Sequence, residues 1–206
     1  VNRYTDRELN LKLNLDKNRI ADRRNLLTQL ENARSEETAY EQLDHYSRMA
    51  ADMLLGSPVR DAYDLEKEDP KIRHMYGDHM GGQSLLLARR LVEAGVPVVQ
   101  TLLSASDLAG GSGDNWDTHR NHFPKMKDRL LPVFDRSVSA LLTDLEMRGM
   151  LEETLVGFLT DFGRTPKVNG NGGRDHYPNV YSLAYAGGGI QGGQVYGASN
   201  KKGTEP

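Results

Sequence analysis

The sequence predicts an α/β fold, with a largely parallel sheet flanked by helices and preceded by a helical segment. Three observations carry this prediction. Three short apolar runs, "VPVVQTLL" (96–103), "TLVGFLT" (154–160) and "YSLAYAG" (181–187), read as buried strands. Amphipathic patterns precede and separate them, giving the rhythm helix, strand, helix, strand, strand that crossover connections produce. Polar, glycine-rich loops follow the first two runs, and open sheets of this kind bind ligands beyond the carboxyl ends of their strands.

The elements follow in chain order, with residues 1–80 expected as a helical segment packed on a core formed by residues 81–206. Asp16 caps a helix carrying Ile20, Leu27 and Leu30 at helical spacing. A second helix carries Tyr40, Leu43, Ala50, Met53 and Leu54, and Gly56 supplies its stop. The stretch "SPVRDAYDLEKEDPKIRHMYGDHMGG" mixes prolines and glycines with polar residues, so it reads as short helical turns joined by loops. "QSLLLARRLVEAG" is a helix ending at Gly95, and the run 96–103 follows as a strand. Leu130, Phe134, Val138, Leu141, Leu142 and Leu145 form the apolar face of a long helix, with Pro132 in its first turn or at a kink and Gly149 at its end. The runs 154–160 and 181–187 complete the predicted sheet.

Composition narrows the function. The 206 residues suffice for one large domain or two small ones with a proper core. A formal net charge of −3 offers no basic excess for nucleic acid, so none is expected as a partner. No apolar run approaches the ~20 residues that cross a bilayer. Cysteine is absent, which removes disulfides, thiolate zinc sites and a cysteine nucleophile. The chain begins at Val1 and stops at "NKKGTEP" just past a glycine-rich segment, so it reads as a fragment of a longer protein.

Two loops hold the chemistry. "NWDTHRNHF" carries Asp117, His119 and His122, and "LTDFGRTPKVNGNGGRDHYP" carries Asp161, Arg164, Arg174, Asp175 and His176. Carboxylate oxygens and imidazole nitrogens are ordinary ligands for Zn²⁺ and related ions. Arginines can fork onto the oxygens of a phosphate or sulfate. Each residue also has a plainer reading. Asp117 can cap the helix that follows, Asp161 can close a turn, His176 can pack against Tyr177, and the arginines can be solvated. "AGGGIQGG" lacks the Lys-Ser/Thr of a P-loop and reads as a tight connection.

The segments W-D-T-H, D-F-G-R-T-P, G-R-D-H-Y-P and A-G-G-G-I-Q-G-G together resemble the DUF1501 family, within the alkaline phosphatase-like superfamily of sulfatases and phosphatases. The resemblance spans residue 16 to the end and is strongest over 83–200. It implies an alkaline phosphatase-like core and export to the periplasm or beyond, although this chain carries no signal. It implies that Asp117, His119 and a later histidine, His176, hold one divalent ion, Zn²⁺ or Mn²⁺ before others, with His119 or His122 as the second ligand. Asp161 takes the place of a metal aspartate that would hold or orient a second ion. Phe162 stands where active relatives place a metal histidine. Arg164 or Arg174 would clamp the anion.

The resulting expectation is a metal-dependent hydrolase of phosphate or sulfate esters, acting on a small molecule or a polymer. The nucleophile would lie elsewhere, since Ser104 and Ser106 have no general base placed beside them. The alternative is a non-catalytic exported binding or structural protein with a degenerate fold. An isomerase or mutase of the same superfamily is a third reading.

Overall fold

The computed structural model describes residues 22, 25, 26, 29, 57–105 and 115–206. Asp22, Asn25, Leu26 and Gln29 are helical and exposed. Asp16, Ile20, Leu27 and Leu30, the expected helix from Tyr40 to its stop at Gly56, and Ser106 lie outside the described residues.

Short helices come first, as the prolines and glycines of this stretch foretell. Helix α1 (Ser57–Tyr63) is followed by a 3-10 turn (Leu65–Lys67), α2 (Pro70–Tyr76) and α3 (Met80–Glu93). Asp69 caps α2 by accepting the Lys71 N–H at 2.7 Å, and Pro70 sits where no helical donor is needed. Gly77, at φ 89°, ends α2, and Gly95 lies just beyond α3 at φ 92°. A second helical run opens as α4 (His122–Lys125), widens into a π turn (Met126–Leu130) and continues as α5 (Leu131–Met147). Pro132 has no N–H for the carbonyl of residue 128, and the widened turn lies where that bond is missing. Gly149, at φ 69°, stands two residues past α5, where the apolar pattern also stops.

The core lies between α2, α3 and α5. Leu65, Tyr76, Leu85, Leu86, Leu141 and Leu145 are buried together. Each fully buried leucine contributes about 1.5–3 kcal/mol relative to exposure. Ions share this interior. Arg89 is 1% exposed and lies 2.8 Å from Asp144 and 2.5 Å from Glu68. Its Nε contact with Asp144 is an ion pair without hydrogen-bond alignment. Arg148 bonds Asp144 at 2.7 Å and Glu93 at 2.8 Å, and the Tyr76 hydroxyl donates to Asp144 at 3.0 Å. Every buried carboxylate in the set therefore has a cationic partner, which burial of charge requires.

The expected parallel sheet does not form among the described residues. Instead, β1 (Val156–Phe158) pairs antiparallel with β4 (Ala184–Ala186), Gly157 opposite Tyr185. β2 (Gly163–Arg164) pairs antiparallel with β3 (His176–Tyr177). The sheets have two strands each, so the alkaline phosphatase-like core implied by the resemblance is overturned as well. Between β1 and β4 the chain passes through the β2–β3 hairpin and no helix. It has no crossover with which to return parallel.

The run 96–103 is not a strand, and Val98 and Leu102 are 82% and 80% exposed. Backbone groups at its end are spent elsewhere: the Leu103 carbonyl accepts from the Trp116 indole at 2.6 Å, and the Ser104 carbonyl accepts from Gly81 N at 2.9 Å. Leu155 and Leu159, expected as buried, are 57% and 69% exposed.

Candidate metal centre

The Trp116 loop alternates inward and outward, as an extended chain must. Trp116 turns in, with its indole on Leu103 and its ring edge 6.1 Å from Phe134 of α5. Thr118 is 1% exposed. Asp117 and His119, between and after them, turn out with side chains 51% and 41% exposed. The helical body thus fixes the loop and presents two polar side chains on one side.

The second loop is bound to the first through its backbone. Arg174 N donates to the Thr118 carbonyl at 3.1 Å, and His122 N donates to the Gly172 carbonyl at 2.9 Å. Asn121 accepts a left-handed backbone, φ 51°, at this junction. Gly173 is needed for the approach, because a Cβ there would lie 2.0 Å from the carbonyl carbon and oxygen of His119. In the β2–β3 hairpin Arg164 stands directly opposite His176. The hairpin therefore delivers a cation and an imidazole side by side.

These contacts bring Asp117, His119 and His176 to one point. Asp117 Oδ1 lies 3.0 Å from His119 Nε2 and 2.8 Å from His176 Nε2, and the two nitrogens are 3.1 Å apart. Ligand bonds of about 2.1 Å separate neighbouring donor atoms by about 3.0 Å in octahedral and about 3.4 Å in tetrahedral coordination, and the observed 2.8–3.1 Å lies close to both. The triangle therefore fits a divalent cation in both size and chemistry. A proton on His176 Nε2, 2.8 Å from Asp117 Oδ1 and 3.1 Å from His119 Nε2, holds the group together when no ion does.

The surroundings support the three. His119 Nδ1 contacts Asp175 Oδ1 at 2.7 Å, the carboxylate–histidine arrangement that orients metal-binding imidazoles. Phe162 lies against the His176 ring, centroids 4.2 Å apart, and the His176 and His119 rings are 4.7 Å apart. Bonds from His176 and then Arg164 hold the Asp117 carboxyl down to about 2. Asp175 is likewise lowered, first by His119 and then by Asn169.

The other expected residues are placed differently. His122 bonds Thr118 Oγ1 through Nδ1 at 2.7 Å, and burial followed by the charges of Arg174 and Arg164 lowers its pKa. It stands outside the metal group, and His119 stands within it. Asp161 occupies an exposed bend after β1 and is likewise outside the group. Arg164 bonds Asp117 Oδ1 at 2.8 Å, the Trp116 carbonyl at 3.0 Å and the Arg174 carbonyl at 3.2 Å. Arg174 bonds the carbonyls of Thr165 and Pro166 at 2.8 and 3.0 Å and covers the Phe123 ring. Both guanidiniums thus hold protein oxygens.

Sequence reasoning misses Asn169 as part of the site. Its signal is the "NGNGG" stretch, in which an asparagine before glycines folds its side chain onto its own loop.

Fold and site define a helical protein that presents a three-residue metal-type cluster on two joined loops. The family described as protein of unknown function (DUF1501) matches residues 3–206, and the chain belongs to it. Comparison with curated proteins and with solved structures finds no match. Among the described residues, no helix is long and apolar enough to cross a membrane.

Proposed function

We propose that Asp117, His119 and His176 bind a divalent cation, and that the centre serves hydrolysis of phosphate or sulfate esters. The carrying observation is the triangle of donor atoms 2.8–3.1 Å apart, drawn from three side chains each about half exposed. Two imidazoles and one carboxylate suit Zn²⁺, with Mn²⁺ next because of the carboxylate. Three protein ligands leave room for an ester oxygen, as hydrolytic centres require. A bound ion supplies Lewis-acid polarisation of that oxygen. Asp117 contributes the negative charge that balances a cation, and its lowered pKa keeps it ionised well into acid solution. Arg164, 2.8 Å from Asp117, lies beside the three donor atoms and would meet an arriving anionic oxygen.

A second reading is a metal-binding protein without turnover. It is favoured by Asp161 standing apart from the cluster and by the apolar Phe162 ring covering one face of His176.

Metal analysis of the protein, followed by assays on aryl phosphate and aryl sulfate esters, separates the readings. About one equivalent of metal, lost in Asp117→Ala and His176→Ala together with turnover, supports the hydrolase. Metal without turnover leaves the binding reading. Protein that takes up neither Zn²⁺ nor Mn²⁺ sinks both.

A further inference from the structure

We infer that Asn169 is the positioning residue of this centre, holding Asp175 against His119 so that His119 presents a bare Nε2. The inference rests on the metal-centre reading above.

An asparagine side chain offers two N–H donors and two acceptor lone pairs. Asn169 uses all four. Its Oδ1 accepts from Asn171 N and from Gly173 N, each at 2.9 Å. Its Nδ2 donates to the His119 carbonyl at 3.1 Å and to Asp175 Oδ1 at 3.0 Å. The amide has one workable orientation. Reversed, its oxygen would face a carbonyl and a carboxylate, and its NH₂ would face two N–H groups.

The two halves of the side chain do different work. The acceptor half closes the 169–173 turn, together with the Asn169 N to Gly173 carbonyl bond at 2.8 Å. The donor half ties that turn to the backbone of a metal ligand and to the carboxylate beside the ligand's ring. Asp175 Oδ1 accepts from both Asn169 Nδ2 and His119 Nδ1. An ionised carboxylate only accepts, and Asp175 meets Nδ1 at 2.7 Å in hydrogen-bond alignment whereas Asp117 meets Nε2 at 3.0 Å as an ion-pair contact alone, so the proton of a neutral His119 ring belongs on Nδ1. The lone pair then falls on Nε2, the atom 3.0 Å from Asp117 Oδ1 and 3.1 Å from His176 Nε2. Asn169 touches neither the cation position nor an arriving ester in this arrangement. It acts through Asp175 and His119.

Asn169→Asp separates the two halves. It keeps an oxygen for Asn171 N and Gly173 N, but it sets a second acceptor against Asp175 and the His119 carbonyl. Imidazole ¹⁵N shifts of the metal-free, labelled chain read which His119 nitrogen carries the proton when the ring is neutral. Zn²⁺ titration reads affinity. The native chain is expected to show His119 protonated at Nδ1. Asn169→Asp is expected to show mixed tautomers and a Kd for Zn²⁺ raised about 10- to 100-fold, the usual effect of losing a ligand's orienting partner. The amide shifts of Asn171 and Gly173 should stay near native. Asn169→Ala, which removes both halves, should lose those shifts too. An unchanged tautomer with unchanged Kd in Asn169→Asp overturns the inference. Loss of the turn in that variant overturns the division between halves on which it stands. Should the native chain bind no Zn²⁺, the metal reading fails, while the tautomer measurement still decides the role of Asn169.

Discussion

Gly173→Ala probes how tightly the two loops must meet. An alanine Cβ at this position would lie 2.0 Å from the His119 carbonyl carbon and oxygen and 2.5 Å from Arg120 N, all backbone atoms that no rotamer change can move. Ordinary contact begins at 3.4 Å. The loops must therefore part by about 1.4 Å, whereas a metal site tolerates displacements of about 0.2 Å. Zn²⁺ affinity should fall by at least about tenfold, and more where Asp175 parts from His119. Gly172→Ala is the matched control. Its φ is 66° and nothing lies within 4 Å of its added Cβ, so it incurs the left-handed strain of about 1 kcal/mol without a clash. Calorimetric Zn²⁺ titration of the two variants beside the native chain gives the comparison. Equal affinities for Gly173→Ala and native protein would refute the argument that backbone contact builds the centre.

Three further outcomes follow from the packing and charge contacts. Asp144→Ala leaves Arg89 buried with only Glu68 and Glu93, and should cost about 3 kcal/mol, the lower end for breaking a buried pair. Urea unfolding measures it, and a change below about 1 kcal/mol would show that the pair is idle. Leu86→Ala, at a fully buried position, should cost about 2–5 kcal/mol in the same assay. The Asp117 carboxyl of metal-free protein should titrate with a midpoint of about 2, against an ordinary 3.8. Because the folded value is depressed, the stabilisation given by His176 and Arg164 is complete above about pH 4 and disappears as pH falls through about 2. Carboxyl ¹³C shifts follow it, Arg164→Ala should move the midpoint upward, and a native midpoint near 3.8 would contradict the contacts.

Helices were the legible part of this fold. The leucine spacing of α3 and α5 and the glycines just beyond them mark both elements closely, because amphipathic period and C-terminal glycine are local properties. Strand partnership is not local. "VPVVQTLL" carries the composition of a buried strand, yet its Leu103 carbonyl answers Trp116, thirteen residues away, and its Val98 and Leu102 face outward. Nothing in an apolar run says which way its neighbour points.

The site divides in the same way. Asp117, His119 and His176 were recognisable from residue type and from the family resemblance. The choice of His119 over His122 needed the loop path, since Thr118 captures the His122 ring. Arg164 and Arg174 have the charge of anion ligands, and their bonds to carbonyls and to Asp117 are set by the hairpin register, which sequence does not show. Asn169 bonds Asn171 and Gly173 within its own loop, which the glycine-rich stretch signals, but its bond to the His119 carbonyl spans fifty residues and is not written in the local sequence.

The ion pairs between the helices have a consequence for alignment. Arg89 of α3 meets Asp144 of α5, Glu93 at the end of α3 meets Arg148 just past α5, and Tyr76 of α2 meets the same Asp144. Apolar side chains tolerate sliding by a turn, because one leucine resembles another. These pairs do not, since a slip of about 5.4 Å would part Arg89 from Asp144 and Glu93 from Arg148. The network works as a key that admits one register of α3 against α5. Phe134 of α5 touches both Trp116, which roots the metal loop, and Phe158 of β1. An error in that register would be carried to the far end of α5, and so to the spacing of the donor atoms of Asp117, His119 and His176.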